Sequence, residues 1–309
     1  MSERTGNFRF ARFWLLAVAA AWSAGPVRAV EPRPQVEVKL LSDRARVQPG
    51  EKFRIGVLFK ISEGSHIYWQ NPGDAGLAPE IKWVLPEGFS AGPLFWPVPR
   101  RMEEPGGLFV NAYTDEVLLF SWVQPTAALK ESSIKVAAEA NWLVCRRICV
   151  QESARPEIEL AAGRSADAPG GDRAIFQRYA GLVPRGAEEH PGLRSESYWD
   201  GWTGEQRNVR LGVITLESDD NETEFQAQHR EIQWFGYPSS SLTSENIHLD
   251  PEQSGDSRLV LHLLVRKLEN NEPWPQLWGG VLTVRLVKFD QQVIDYALSF
   301  DFTDRDSVP

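Results

Sequence analysis

The chain is poor in the residues that most catalytic and metal centres need. Its 309 residues include only two cysteines and five histidines. The histidines, at positions 66, 190, 229, 248 and 262, show no metal-ligand spacing, so no metal is expected. No GxSxG elbow, P-loop or GxGxxG fingerprint occurs, which removes the sequence-level case for an α/β-hydrolase, a P-loop NTPase or a dinucleotide enzyme, and no cofactor is expected. Positive charge is also in deficit: the net charge is −9. An acidic surface argues against nucleic acid or anionic lipid as the main partner. Carboxylates are plentiful, but no pair stands out for glycosidase chemistry, which is defined by geometry.

Long apolar runs are scarce too. The one conspicuous run, Phe13 to Ala21, follows Arg4, Arg9 and Arg12 and precedes small residues, with Val27 and Ala29 at −3 and −1 of a cleavage site. That is the layout of a secretory signal peptide over residues 1–29. The run is too short for an ordinary transmembrane helix, although an uncleaved anchor is the competing reading. Residues 1–29 hold four Arg and one Glu; without them 29 basic and 41 acidic residues remain, a net −12. The mature chain is expected to be exported and soluble.

What is abundant is strand-like sequence. "VEVKLL", "FRIGVLFKI", "VLLFSWV", "IKVAAEANWLV" and "RPEIEL" are rich in branched and aromatic residues, punctuated by "VQPGEK" and "QNPGDAGLAPE". Such spacing predicts an antiparallel sandwich over residues 30–160. "AAGRSADAPGGD", residues 161–171 with Asp172, reads as a linker. In "DRAIFQRYAGLVP", Ile175, Phe176, Tyr179, Leu182 and Val183 share one helical face, which predicts a short helix. Strands then resume from about Asn208, so residues 172–309 read as a second β-domain. The expected fold is all-β: an immunoglobulin-like sandwich, a linker, a short helix and a second sandwich-like domain. Ten of the twelve tryptophans lie beyond residue 29. Core packing accounts for most of them, and a carbohydrate-binding platform is the sharper alternative.

The two cysteines, Cys145 and Cys149, stand four apart in "NWLVCRRICVQ". In an oxidising compartment a disulfide is their default state. As a staple it is weak: closing a loop of about five residues yields roughly 2 kcal/mol, against about 4.7 for a hundred-residue loop. A pair that cycles between dithiol and disulfide has other needs: proximity, one reachable sulfur and a readily ionised thiol. Arg146 and Arg147, between the sulfurs, would favour a thiolate if they point that way. The spacing by itself leaves both readings open, an exchanging pair and an inert disulfide in a non-enzymatic exported binding module.

The surroundings are more specific. "HIYWQNPGDAGLAPEIKWVLPEGF", "GPLFWPVPRR", "YTDEVLLF" and "NWLVCRRICVQESA" occur in that order. Together they resemble the N-terminal periplasmic domain of the DsbD and ScsB group of thiol–disulfide interchange proteins, over roughly Val36 to Leu160. From Asp172 to Phe302 the resemblance is weaker, to the second β-domain that some members carry. The resemblance implies a periplasmic thiol–disulfide oxidoreductase with Cys145 and Cys149 as the redox pair. It implies a membrane-embedded thiol reductase as electron donor and thioredoxin-like proteins as acceptors. It also implies a cap loop shielding the reduced pair, which maps to about Arg101–Phe109, and it favours Cys149 as the sulfur that forms mixed disulfides.

The sequence departs from its relatives in three places. Gly106–Gly107 stands where they carry a cap aromatic, so shielding is expected to fall to Leu108, Phe109 or Met102. The aromatics beside the pair map onto His66 and Tyr68, and His66 replaces the usual Tyr. Finally, neither a multi-span region nor a thioredoxin-like domain appears in the sequence, so the reductase is expected to be a separate protein.

Overall fold

The computed structural model describes residues 35–125, 132–163, 171–203, 208–218, 223–224, 232–255, 257–268, 274–275, 277–288 and 293–304. The expected signal peptide and most of the expected linker, residues 164–170, lie outside them. Among the described residues no helix is long and apolar enough to cross a membrane.

The first half holds twelve strands: β1 (Val36–Ser42), β2 (Arg46–Val47), β3 (Phe53–Ile61), β4 (His66–Gly73), β5 (Glu80–Val84), β6 (Phe89–Ala91), β7 (Arg100–Glu104), β8 (Leu108–Tyr113), β9 (Glu116–Pro125), β10 (Ser133–Cys145), β11 (Cys149–Ala154) and β12 (Glu157–Ala162). They form two sheets. One runs β1-β3-β9-β6; the other runs β2-β12-β10-β4-β8-β7, with β5 and β11 also pairing β10. Strict alternation in β10, "SIKVAAEANWLVC", sends Ile134, Val136, Ala138, Ala140, Trp142 and Val144 inward. They meet Ile55, Val57, Phe59, Val117 and Leu119 of the facing sheet, the packing of a β-sandwich. β12 runs two residues past the expected boundary at Leu160.

Helix α1 (Arg173–Ala180) follows, as expected. It packs on the first sandwich. Phe176 meets Phe120 edge-on at 5.8 Å, and the Tyr179 hydroxyl donates to Glu116 O at 2.9 Å. Leu182, assigned to the buried face from the sequence, is exposed, because the helix ends at Ala180.

The second half holds β13 (Leu193–Thr203), β14 (Val209–Ser218), β15 (Thr223–Glu224), β16 (Gln233–Gly236), β17 (Leu242–Leu249), β18 (Arg258–Lys267), β19 (Trp278–Lys288) and β20 (Val293–Asp304). The order is β15-β19-β20-β13-β14-β18-β17, with β16 also on β19. Among the described residues two pairs join β13 to β20, in parallel. Around that joint the β19–β20 side faces the β14–β18 side, burying Leu282, Leu298 and Phe302 with Ile214, Leu261 and Leu263. The result is a second sandwich-like layer pair, and the architecture is all-β with one short α-helix among the described residues. Trp69, Trp142, Trp199, Trp234 and Trp278 are all buried, as the core-packing reading requires. Residues 34–309 form one compact unit, and Phe235 and Val281 from the second half enter the core of the first.

Candidate functional site

Cys145 ends β10 and Cys149 begins β11. They are directly opposite one another in an antiparallel hairpin, with Cα atoms 4.1 Å apart and the sulfurs bonded. The loop is Arg146-Arg147-Ile148, closed by Arg146 N–H donating to Ile148 O at 3.2 Å. A CxxxC sequence meets disulfide geometry here because a three-residue hairpin loop places its flanking residues in register. The two sulfurs differ in environment. Cys145 is 2% exposed and packs with Tyr68, Val110 and Ala112; Cys149 is exposed.

Tyr68 lies in β4, the strand that also pairs with the end of β10. Its hydroxyl donates to Cys145 Sγ at 3.0 Å and lies 3.9 Å from Cys149 Sγ and 3.4 Å from Glu104 Oε1. One proton serves these three acceptors, and the shortest contact is to the buried sulfur. Burial, reinforced by the nearby Glu104 carboxylate, pushes the Tyr68 hydroxyl up to about 12. It therefore remains a donor over the whole range in which thiols ionise. The ring is fixed from behind by Gly76, at φ +105°, where a Cβ would stand 2.3 Å from a ring carbon. Only glycine fits that position.

His66 is directly across from Cys145 in the ladder and is buried. Its Nε2 lies 2.9 Å from Glu104 Oε1 without aligning its N–H on that oxygen, and its ring meets Tyr68 edge-on at 5.1 Å. Burial lowers the His66 pKa, opposed by the Glu104 charge. Glu104 is thus the shared neighbour of His66 and Tyr68. It went unnoticed in the sequence among the many carboxylates. The usable signal was its even spacing from Met102 in a strand.

The expected cap is a hairpin, β7–β8, turning at Pro105-Gly106-Gly107 with both glycines at positive φ (96° and 77°). Pairing of Met102 with Val110 and of Glu104 with Leu108 sets which side chains face the cysteines. Met102 packs partly buried on the Tyr68–Cys145 cluster, and Glu104 reaches the Tyr68 hydroxyl. Leu108, opposite Glu104 at the tip, is 40% exposed. Phe109 is one residue out of phase. Alternation turns it to the other face, where it is 49% exposed and lines a groove with Asp74, Arg101 and Asn111. It therefore does not cover the sulfurs, nor is it a buried strand residue. Arg146 and Arg147 are both exposed, and the Arg146 guanidinium lies back against Gly64 of the β3–β4 turn. Ile148, between them, and Leu77, next to Gly76, are each 61% exposed. Among the described residues no cluster of His, Cys, Asp and Glu could hold a metal ion.

Residues 37–160 match the model of the family described as thiol:disulfide interchange protein DsbD, N-terminal. The N-terminal periplasmic domain of ScsB from Proteus mirabilis shares the fold, with a TM-score of 0.55 at 14% identity over 88% of this chain and 94% of that one. Two further solved structures are far more distant. A protein of unknown function from Porphyromonas gingivalis W83 gives a TM-score of 0.21 at 10% identity, over 87% of this chain and 99% of that chain. The periplasmic chaperone SfaE gives 0.24 at 8%, over 86% and 100%. No curated protein sequence matches the chain. The matched segment ends six residues after the Cys145–Cys149 hairpin closes with Ala154, so the cysteine pair lies wholly inside the part of the chain that is similar to the DsbD N-terminal family.

Proposed function

We propose that the protein is a periplasmic thiol–disulfide oxidoreductase that passes two electrons at a time through Cys145 and Cys149. The observation that carries this reading is the asymmetry of the pair: one exposed sulfur, and one buried sulfur that accepts from the Tyr68 hydroxyl at 3.0 Å. In the reducing half-cycle a donor thiolate attacks Cys149 Sγ. A donor–Cys149 bond forms, the Cys145–Cys149 bond breaks, and its electron pair leaves on Cys145 as thiolate. The Tyr68 O–H stabilises that charge. A second donor thiol then attacks its own half of the mixed disulfide and releases Cys149 as thiolate, completing donor oxidation. In the delivering half-cycle Cys149 thiolate attacks an acceptor disulfide, and Cys145 displaces the reduced acceptor to restore the bond. Charge-assisted hydrogen bonding makes the leaving sulfur a better leaving group.

The donor in this reading is a membrane-embedded thiol reductase and the acceptors are thioredoxin-like. Leu77, Leu108 and Ile148 support a protein partner, since each neighbours a residue that touches the cysteine site or belongs to its loop. Met102, with Val110 beneath it, supplies the apolar cover from the hairpin. The reduction potential tests the reading against an inert disulfide in a binding module. An exchanging pair should equilibrate with glutathione or thioredoxin buffers above about −300 mV, whereas a structural disulfide lies below that value. A potential below it would overturn the exchange reading.

A further inference from the structure

The β7–β8 hairpin has two faces. One carries Met102, Glu104 and Val110 toward the cysteine site; the other carries Arg101, Phe109 and Asn111. β7 is the last strand of its sheet. The hairpin joins its own sheet through β8, which pairs with β4 at Ile67↔Tyr113 and Tyr68↔Ala112 and, after a break in register, at Gly73↔Val110, where Asp74 N–H donates to Phe109 O at 3.0 Å and Phe109 N–H donates to Asp74 Oδ2 at 2.8 Å. A two-stranded ribbon by itself is at best marginally stable in water, so what holds the β7 side matters.

A strand of the second half holds its back. Arg101 Nη2 donates to Trp234 O at 2.7 Å, and its guanidinium carbon lies 5.3 Å from the Phe235 ring centre. Asn71, at the register break of β4, donates through Nδ2 to Gly236 O at 2.8 Å. Asn111 of β8 donates to Asn71 O at 3.0 Å, which ties the hairpin to the same anchor. Phe235 is fully buried, edge-on to Trp69 at 6.1 Å, inside the first core. Trp234 O and the Phe235 ring of β16 thus hold the root of the hairpin directly at Arg101, and Gly236 O holds it indirectly through Asn71 of β4, to which Asn111 is bonded.

We propose that β16 is the anchor that sets the β7–β8 hairpin over the cysteine pair, with Arg101 as the positioning residue. The second β-domain then serves the first by governing access to the reduced cysteines. Movement is left to the Gly106–Gly107 tip, while the root is fixed from outside the sandwich. This inference rests on the shielding role of the hairpin stated above.

The test compares full-length variants in the reduced state. Three quantities are read: the rate of reaction with oxidised glutathione, the unfolding midpoint, and amide exchange in β7 and β8. Arg101→Met should raise the rate roughly tenfold, the change expected when one charge-assisted hydrogen bond closing an equilibrium is lost. Arg101→Lys, which keeps a donor, should recover part of that effect. Amide exchange should rise in β7–β8 and not across the β3–β9 ladder. Asn71→Asp is the second variant, because it keeps the acceptor used by Gly73 N–H and removes the donor to Gly236. It should act in the same direction if Arg101→Met does not fold. Met102→Ala separates the two claims. If Met102→Ala accelerates oxidation and the anchor variants do not, shielding stands and the anchor is wrong. If none accelerates it, the hairpin shields nothing and both claims fall.

Discussion

Replacing Tyr68 with Phe isolates the chemistry assigned to the buried sulfur. The ring is 1% exposed and wedged against Gly76, so the substitution keeps the packing and deletes one oxygen. That oxygen donates to Cys145 Sγ at 3.0 Å. A hydrogen bond to a charged group contributes about 1.5–3 kcal/mol. With about half of the charge developed on the leaving sulfur at the transition state, in line with Brønsted coefficients for this exchange, roughly 0.75–1.5 kcal/mol is lost from the barrier side. That converts to an approximately 4- to 13-fold slower attack on the oxidised pair, since a tenfold change is about 1.4 kcal/mol. The assay is stopped-flow reduction by dithiothreitol, followed by tryptophan fluorescence, with the unfolding midpoint measured on the same sample. An unchanged rate in a folded variant would refute the role of the hydroxyl. A reduced rate accompanied by a collapsed midpoint would refute the claim that the ring alone holds the packing.

Three other outcomes follow from the geometry and the domain organisation. Burial lowers the His66 pKa below its unfolded value of about 6.5, so the unfolded chain binds the extra proton first. Stability should be full above about pH 6.5 and fall as pH drops through the lowered folded value, and His66→Gln should flatten that slope in pH-dependent unfolding. Gly76→Ala puts a methyl into the Tyr68 ring at a positive φ; a loss of about 1–3 kcal/mol in denaturant unfolding is expected, and an unaffected midpoint would mean the loop shifts freely. We propose the expected linker, residues 161–171, as the boundary between the two β-domains; Ala161 and Ala162 belong to β12, so limited proteolysis should cut first within residues 163–171, and resistance of that segment would contradict the boundary.

Much of the first domain was legible because its information is local. Alternation in β10 and the branched runs of β3 and β9 name their own inward faces, and the cysteines sit inside a family-specific string. The phase of the cap was not legible. Whether Met102 or Phe109 faces the sulfurs depends on the register of β7 against β8. A shift of one residue exchanges the two faces. Gly106 and Gly107 announced a turn without announcing its register. Glu104 was hidden for a different reason: its partners Tyr68 and His66 are 36 and 38 residues away, and nothing in "RMEEPGG" points to them. The grip of β16 on Arg101 spans 133 residues and ends on a backbone carbonyl, which leaves no mark on the side-chain sequence. Helix α1 was placed by chain order with the second domain, whereas Phe176 and Tyr179 found their apolar partners in the first.

The most direct measurement is capture of the exchange intermediate. Cys145→Ser leaves the exposed Cys149 as the sole thiol, and Cys149→Ser leaves the buried Cys145. Each variant is incubated with a thioredoxin-like protein lacking its own resolving cysteine and activated as a mixed disulfide with a small aromatic thiol, and the products are weighed by mass spectrometry. Cys145→Ser should accumulate a one-to-one disulfide-linked complex through Cys149, and Cys149→Ser should form far less. Equal capture by both variants would contradict the asymmetry of the pair, and capture by neither would contradict thiol–disulfide exchange with such partners.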